Sequence, residues 1–186
     1  MPLSGPGFTA GPDVPKEQEK RAKKLVHGWK RAKKSKVFAR GGQRVEKVLS
    51  RFPRKMWDFK PAEQHWCVGE VLWHLADQEA NLYFRLRKAV ADPGGSVPSW
   101  DQETWANRTN YLKADFEEGH KLFAMLRQAN SNLLNRLPPS VWGNTISHPE
   151  FGRISVEYQV GHNIWHVEHH IGQMAKRYRQ WKEKKK

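Results

Sequence analysis

Histidine is the residue type here with the most chemistry to offer. Nine are present, and four of them, His162, His166, His169 and His170, crowd into one short run. On a helix, His162, His166 and His170 follow at i, i+4 and i+8 and form one ladder on one face. His169 is rotated by about 100° from His170. Two imidazoles one turn apart can present nitrogens to a common point, as zinc-binding H-E-x-x-H helices do. A divalent ion wants at least a third ligand from another element. His74, between Trp73 and Leu75 in an apolar run, is the candidate. Each feature alone has a plainer reading. His74 would be a satisfied core histidine, and the cluster a polar face in water. Together, a facing histidine and an i, i+4 pair make a three-histidine site with coordination positions left open, which is the catalytic pattern. Neutral imidazoles suit zinc, nickel, copper or iron.

Several neighbours could serve such a site. Asp77 lies i+3 from His74 and could accept a hydrogen bond from an imidazole N–H, or stand as a surface carboxylate. Gln173 lies i+3 from His170 and would pack at the edge of the site. Trp73 and Trp165 adjoin the histidines in sequence and could wall an apolar pocket. Cys67, the single cysteine, sits two turns before His74 and reads as a cap or core residue.

These residues need helices to hold them. The apolar spacing from Val45 onward within 37–56 is helical, with Pro53 at its end or at a kink. A helix over 67–91 takes Val68, Val71, Leu72, Leu75, Leu82, Phe84, Leu86 and Val90 as its apolar side, and Pro93-Gly94-Gly95 stops it. Residues 96–107 are expected as a loop carrying Trp100 and Trp105, either a lid or a packed surface loop. Further helices are expected over 110–137 and 154–181, with a connector at 141–153. No sustained period-two alternation is present, so the expectation is an all-α four-helix bundle. Residues 16–34 carry few apolar residues, chiefly Leu25, Val26 and Trp29, and read as an arm or a short docked helix ahead of a Gly41-Gly42 break. Residues 1–15 are expected to be disordered. The resulting division is a basic arm over 1–36, a bundle over 37–181 and a basic tail over 182–186.

The chain has 186 residues and a net charge of +14. Residues 1–55 hold 16 Lys/Arg against 4 Asp/Glu, and residues 176–186 hold 7 against 1. The body between them is mildly acidic. Basic ends can bind nucleic acid by counterion release, or stand as solvated tails. No apolar run reaches the roughly 20 residues of a membrane helix, no apolar leader opens the chain, and one cysteine excludes an internal disulfide framework. The expectation is a cytoplasmic protein without membrane contact.

Two runs resemble a known family. Trp66-Cys-Val-Gly-Glu-Val-Leu-Trp-His74-Leu-Ala-Asp77 is similar to the second helix of DinB-like (DinB/YfiT-like) proteins, where a W-[ST]-x-x-E-x-x-x-H pattern carries a metal ligand. His148-Pro-Glu-Phe-Gly152 followed by Trp165-His166-Val-Glu-His169-His170-Ile-Gly-Gln173 resembles that family's last helix, and Trp57 to Pro61 its W-x-x-[RK]-P entry. Cys67 stands where a Ser or Thr cap is usual, and residues 1–37 have no counterpart. The resemblance implies a four-helix bundle holding a divalent metal, zinc or nickel, through His74, His166 and His170. It implies that His169 points away and that His162 supports the site or faces substrate. It also implies transfer of a low-molecular-weight thiol onto a small electrophile, or a thiol-dependent isomerisation, although many members have no known activity, and DinB-like bundles often pair as homodimers. With no partner cysteine and no Ser-His-Asp spacing, the sequence by itself leaves a thiol and metal-bound water, hence hydrolysis, both open as the attacking group. The rival expectation is a non-catalytic, metal-stabilised bundle whose basic ends bind nucleic acid or another acidic partner.

Overall fold

The computed structural model describes residues 14–185. Seven helices and one hairpin follow in order: α1 (Val14–Val26), α2 (Arg31–Ala39), α3 (Gly41–Leu49), α4 (Val68–Ala91), α5 (Gln102–Arg108), α6 (Phe116–Arg136), β1 (Thr145–His148), β2 (Gly152–Ser155) and α7 (Val156–Glu183). Local chemistry sets the starts of the long helices. Cys67 Sγ accepts from the Glu70 backbone N–H while the Glu70 carboxylate accepts from the Cys67 N–H, a capping box with sulfur in place of the usual hydroxyl. Asp115 caps α6 by accepting from the Glu117 N–H, and Ser155 caps α7 by accepting from the Tyr158 N–H. The sequence expectation placed the α6 start at residue 110. Residues 111–113 instead form a short 3₁₀ turn after Asn110, whose φ is +55°.

α2 with α3, α4, α6 and α7 form the four-helix bundle. Trp73 Nε1 donates to Asp115 O near one end, and Arg87 Nη1 to Asn130 Oδ1 near the other, so α4 and α6 run parallel. A parallel pair forces the chain back along the bundle, and residues 92–115 make that return. His74 meets His166 and Gln78 meets Asn163, so α4 and α7 run antiparallel.

The interior divides into three levels. One apolar cluster gathers Val45, Leu72, Phe123 and Met174 around the start of α4. The other gathers Phe38, Leu86, Leu134 and Ile164 around its end. Between them lies a buried polar layer. There Arg127 Nη2 pairs with Glu79 at 2.6 Å, and Asn130 Nδ2 donates to Glu79 Oε1 at 2.8 Å. The Arg127 guanidinium lies 4.1 Å from the Phe38 ring centroid and donates to Phe38 O. Gly41 belongs here: a Cβ at that position would stand 3.1 Å from Arg127 Nη1. The expected Gly41-Gly42 break is only the one-residue interruption at Arg40, and both glycines lie in the first turn of α3.

Several expectations need correction. The connector at 141–153 contains a hairpin in which Ile146 pairs with Ile154 and His148 with Gly152. Gly152 takes φ +65° as the turn closes. Its four-residue strands are too short to print a period-two signal. The return segment holds α5, capped by Asp101, rather than a loop throughout. Phe84, assigned to the apolar side of α4, is 51% exposed, and Leu122 of α6 is also exposed. The segment read as an arm or a docked helix is docked. Ala22 and Val26 of α1 are buried, Val26 against Gly161 of α7, and Lys34 Nζ meets Glu157 at 2.7 Å. The disorder expected for 1–15 falls, up to residue 13, outside the described residues. No described helix is long and apolar enough to cross a membrane.

Candidate metal centre

His74 sits two turns into α4, at the boundary between the lower apolar cluster and the polar layer. Its ring lies 4.9 Å from Trp66 and 5.7 Å from Trp100, the latter stacked at 21°. From α7, His166 and His170 project toward it one turn apart. The Nε2 atoms of His74 and His166 are 3.0 Å apart, and those of His166 and His170 are 3.1 Å apart. Ligand atoms from all three residues fall within 4.8 Å of one another. All three side chains are buried.

The donor set fits a divalent ion. Two nitrogens held ~2.1 Å from one ion at about 90–110° stand roughly 3.0–3.4 Å apart, the spacing of the His74–His166 and His166–His170 pairs. Ligating imidazoles must be neutral. Burial, helped by the neighbouring histidines, holds His74 and His166 well below the usual imidazole pKa, and burial above all takes His170 down to about 3. Gln173 Oε1 lies 2.8 Å from His170 Nδ1. A carbonyl oxygen there wants a proton on Nδ1, which leaves the Nε2 lone pair for the ion.

The other expected site residues divide. Trp165 does adjoin the centre: its ring is 6.4 Å from His166 and stacks on His169 at 5.2 Å. His162 continues the ladder, with its ring 6.0 Å from His166, and burial takes it down to about 4. Its Nε2 is buried with no hydrogen-bond partner among the described residues. Trp73 could have walled the pocket or served as plain core. It turns instead toward α6, donating to Asp115 O and lying over Gly119. Asp77 does not serve His74. Its carboxylate accepts from the Tyr111 hydroxyl, while His74 Nδ1 has no partner among the described residues. The rings that flank His74 are Trp66 and Trp100. Trp66 stood in the motif without a role, and Trp100 arrives from a segment whose sequence says nothing of where it folds.

Cys67 offers no nucleophile. It is buried, its sulfur caps α4, and burial pushes its thiol up to about 12.

Residues 38–174 match the family model of the DinB superfamily. The chain belongs to the DinB superfamily. The curated proteins it resembles include a protein of Oceanobacillus iheyensis, 32% identical over 110 residues, which are 59% of this chain and 63% of that one. A protein of Bacillus cereus is 25% identical over 131 residues, 70% of this chain and 75% of that one. Both carry the provisional name of metal-dependent hydrolase. The chain spans less than two thirds of the length of the first relatives it matches, 62% to 63%. Among solved structures, YfiT from Bacillus subtilis superposes with a TM-score of 0.74 at 22% identity, over 81% of this chain and 86% of that one. YfiT is described, again provisionally, as a metal-dependent hydrolase with an unusual four-helix bundle topology. At that identity the likeness establishes the fold alone.

Proposed function

We propose that this protein holds a divalent metal ion on the Nε2 atoms of His74, His166 and His170 and turns over a small electrophilic substrate there. The convergence of three buried imidazoles from two antiparallel helices carries the reading. When bound, the ion supplies Lewis acidity and lowers the pKa of whatever ligand enters its open positions, so that a water or a thiol gives up its proton near neutral pH.

The chain's own residues do the rest. Gln173 fixes the His170 tautomer. Trp66 and Trp100 lie against His74 and keep bulk water from that side. Cys67 is bound into a helix cap, so the attacking group comes from outside the protein. Water as that group accords with the relatives' names. A low-molecular-weight thiol is the group that the DinB-like resemblance implies.

One experiment separates the two. The metal-loaded protein is given a p-nitrophenyl ester alone, and a chlorinated nitrobenzene with and without glutathione, bacillithiol or mycothiol. Ester cleavage without thiol supports hydrolysis. Chloride release that depends on thiol supports transfer. In either case Cys67→Ser retains turnover and His166→Ala loses it. No turnover of either substrate, with metal fully bound, contradicts the catalytic reading.

A further inference from the structure

Three arginines are buried in the bundle, and one of them stands apart. Arg127, 2% exposed, is paired with Glu79. Arg177, 3% exposed, donates to Trp66 O at 2.8 Å and to Gln180 Oε1 at 3.1 Å. Arg85, 8% exposed, makes one hydrogen bond among the described residues, a long one of 3.5 Å from Nη2 to Pro98 O. The carboxylate whose field it feels belongs to Glu150, an exposed residue of the hairpin turn that forms no ion pair with it. A buried guanidinium without a contacting carboxylate costs several kcal/mol in desolvation. Such a group suits a site that receives its counter-ion from outside.

Arg85 is also placed to meet a substrate at the metal centre. It follows His74 by eleven residues, three turns of α4, and is rotated from it by only about 20°. Side chains on a helix lean toward its N-terminus, which brings the guanidinium back toward His74. Gln78 lies on the same face between them. Its amide makes one loose bond, 3.4 Å to Asn163 Oδ1.

Facing α4, α7 continues its metal-binding side as His162 and Gln159. His162 Nε2 and both ends of the Gln159 amide are buried without hydrogen bonds among the described residues. The hairpin closes the third side. The Phe151 ring lies 4.9 Å from His148 and 6.0 Å from His162. His148 and His162 both sense the Arg85 charge. Unsatisfied polar atoms therefore cluster around one unpaired cation, on the two helix faces that carry the metal ligands.

We propose that Arg85 is the anchor for a carboxylate on the substrate, which lies between the facing sides of α4 and α7 with its reacting group at the three histidines. This rests on the metal-centre reading for its catalytic meaning, though not for the anion site itself. A carboxylate fits better than a phosphate. One planar guanidinium matches one carboxylate in a two-bond fork, and Glu150 would repel a dianion. The substrate is thus a small carboxylic acid whose electrophilic centre lies several bonds from its carboxylate.

The probe is 4-phenylbutyrate, titrated calorimetrically into the full chain, both as purified and after chelation. Its neutral amide and inorganic phosphate serve as controls. The expected result is saturable binding of the carboxylate in both metal states and neither control binding comparably. Arg85→Met is expected to weaken it by about tenfold to a hundredfold, and Arg85→Lys by less. Circular dichroism and bound-metal content establish that the variants are folded. The proposal is overturned by unchanged affinity in folded Arg85→Met. It is equally overturned by equal binding of the amide, by tighter binding of phosphate, by loss of binding on chelation, or by no saturable binding to the wild-type protein. Failure of the metal reading would appear instead as absent metal with the carboxylate still bound.

Discussion

His74 and His166 are 92 positions apart in sequence, and their Nε2 atoms are 3.0 Å apart in space. The antiparallel course of α4 and α7 makes the contact. His170, one turn on, adds the third nitrogen at 3.1 Å from His166. Neither helix could hold an ion in this way alone.

Gln173 is the first residue beyond the triad whose removal should register at the metal. Its carbonyl oxygen holds His170 Nδ1 at 2.8 Å. Replacing Gln173 with Leu should weaken metal affinity by roughly tenfold to a hundredfold and leave the helix content unchanged. A competition titration against a chelator of known affinity measures this directly. Equal affinity in the variant would remove Gln173 from the site.

Metal-free protein should lose stability on acidification. His170, His166 and His74 have pKa values depressed in the folded state. The unfolded chain, with pKa near 6.5, therefore binds more protons between about pH 6.5 and pH 3. Stability is full above that window and falls through it as pH drops, by up to about 1.4 kcal/mol per pH unit for each such histidine. Urea unfolding of the chelated protein at pH 7.5, 6 and 5 should show the decline. His170→Gln should show a shallower one. An identical slope in the variant would mean that His170 is protonated as readily folded as unfolded.

The Glu79–Arg127 pair should be costly to break and cheap to replace. Arg127 bridges α6 to α4 through Glu79 and to α2 through Phe38. Glu79→Ala leaves a buried cation unpaired and should cost about 3–5 kcal/mol. Replacing both with apolar residues of like volume should recover most of that. Denaturant midpoints for the single and double variants decide the matter, and additive losses would contradict the pairing.

Deleting residues 1–36 should lower stability measurably. The low apolar content of 16–36 suggests little contribution, but Ala22 and Val26 are buried on α7 and Lys34 pairs with Glu157. Losing the Val26 contact alone removes about 1.5–3 kcal/mol of burial. A melting temperature within a degree of the full chain would show that α1 does not stay docked in solution.

What could be read from the sequence, and what could not, follows from how far each signal reaches. The long helices announce themselves through caps and apolar spacing that lie within a few residues of each other, as at Cys67-x-x-Glu70 and Ser155. The His166/His170 pair is likewise local. Trp73 shows the limit. Adjacency to His74 suggested a shared pocket, but neighbouring residues on a helix point about 100° apart, and that rotation sends Trp73 to Gly119 of α6. Asp77 stands on a suitable turn for His74, yet Tyr111 reaches its carboxylate first, from a segment outside any helical pattern. Trp100 reaches His74, and Pro98 O and His148 come near Arg85, only because residues 92–115 and the hairpin fold back over α4, and no spacing rule encodes that return.

The central claim is that His74, His166 and His170 together hold one metal ion. Its most direct test is elemental analysis of untagged protein purified without chelator, alongside His74→Ala, His166→Ala, His170→Ala and His169→Ala. His169 stacks on Trp165 outside the triad. Close to one divalent metal per chain is expected in the wild-type protein and in His169→Ala, with sharp loss in each of the other three. Equal metal content in all four variants, or none in the wild-type protein, would contradict it.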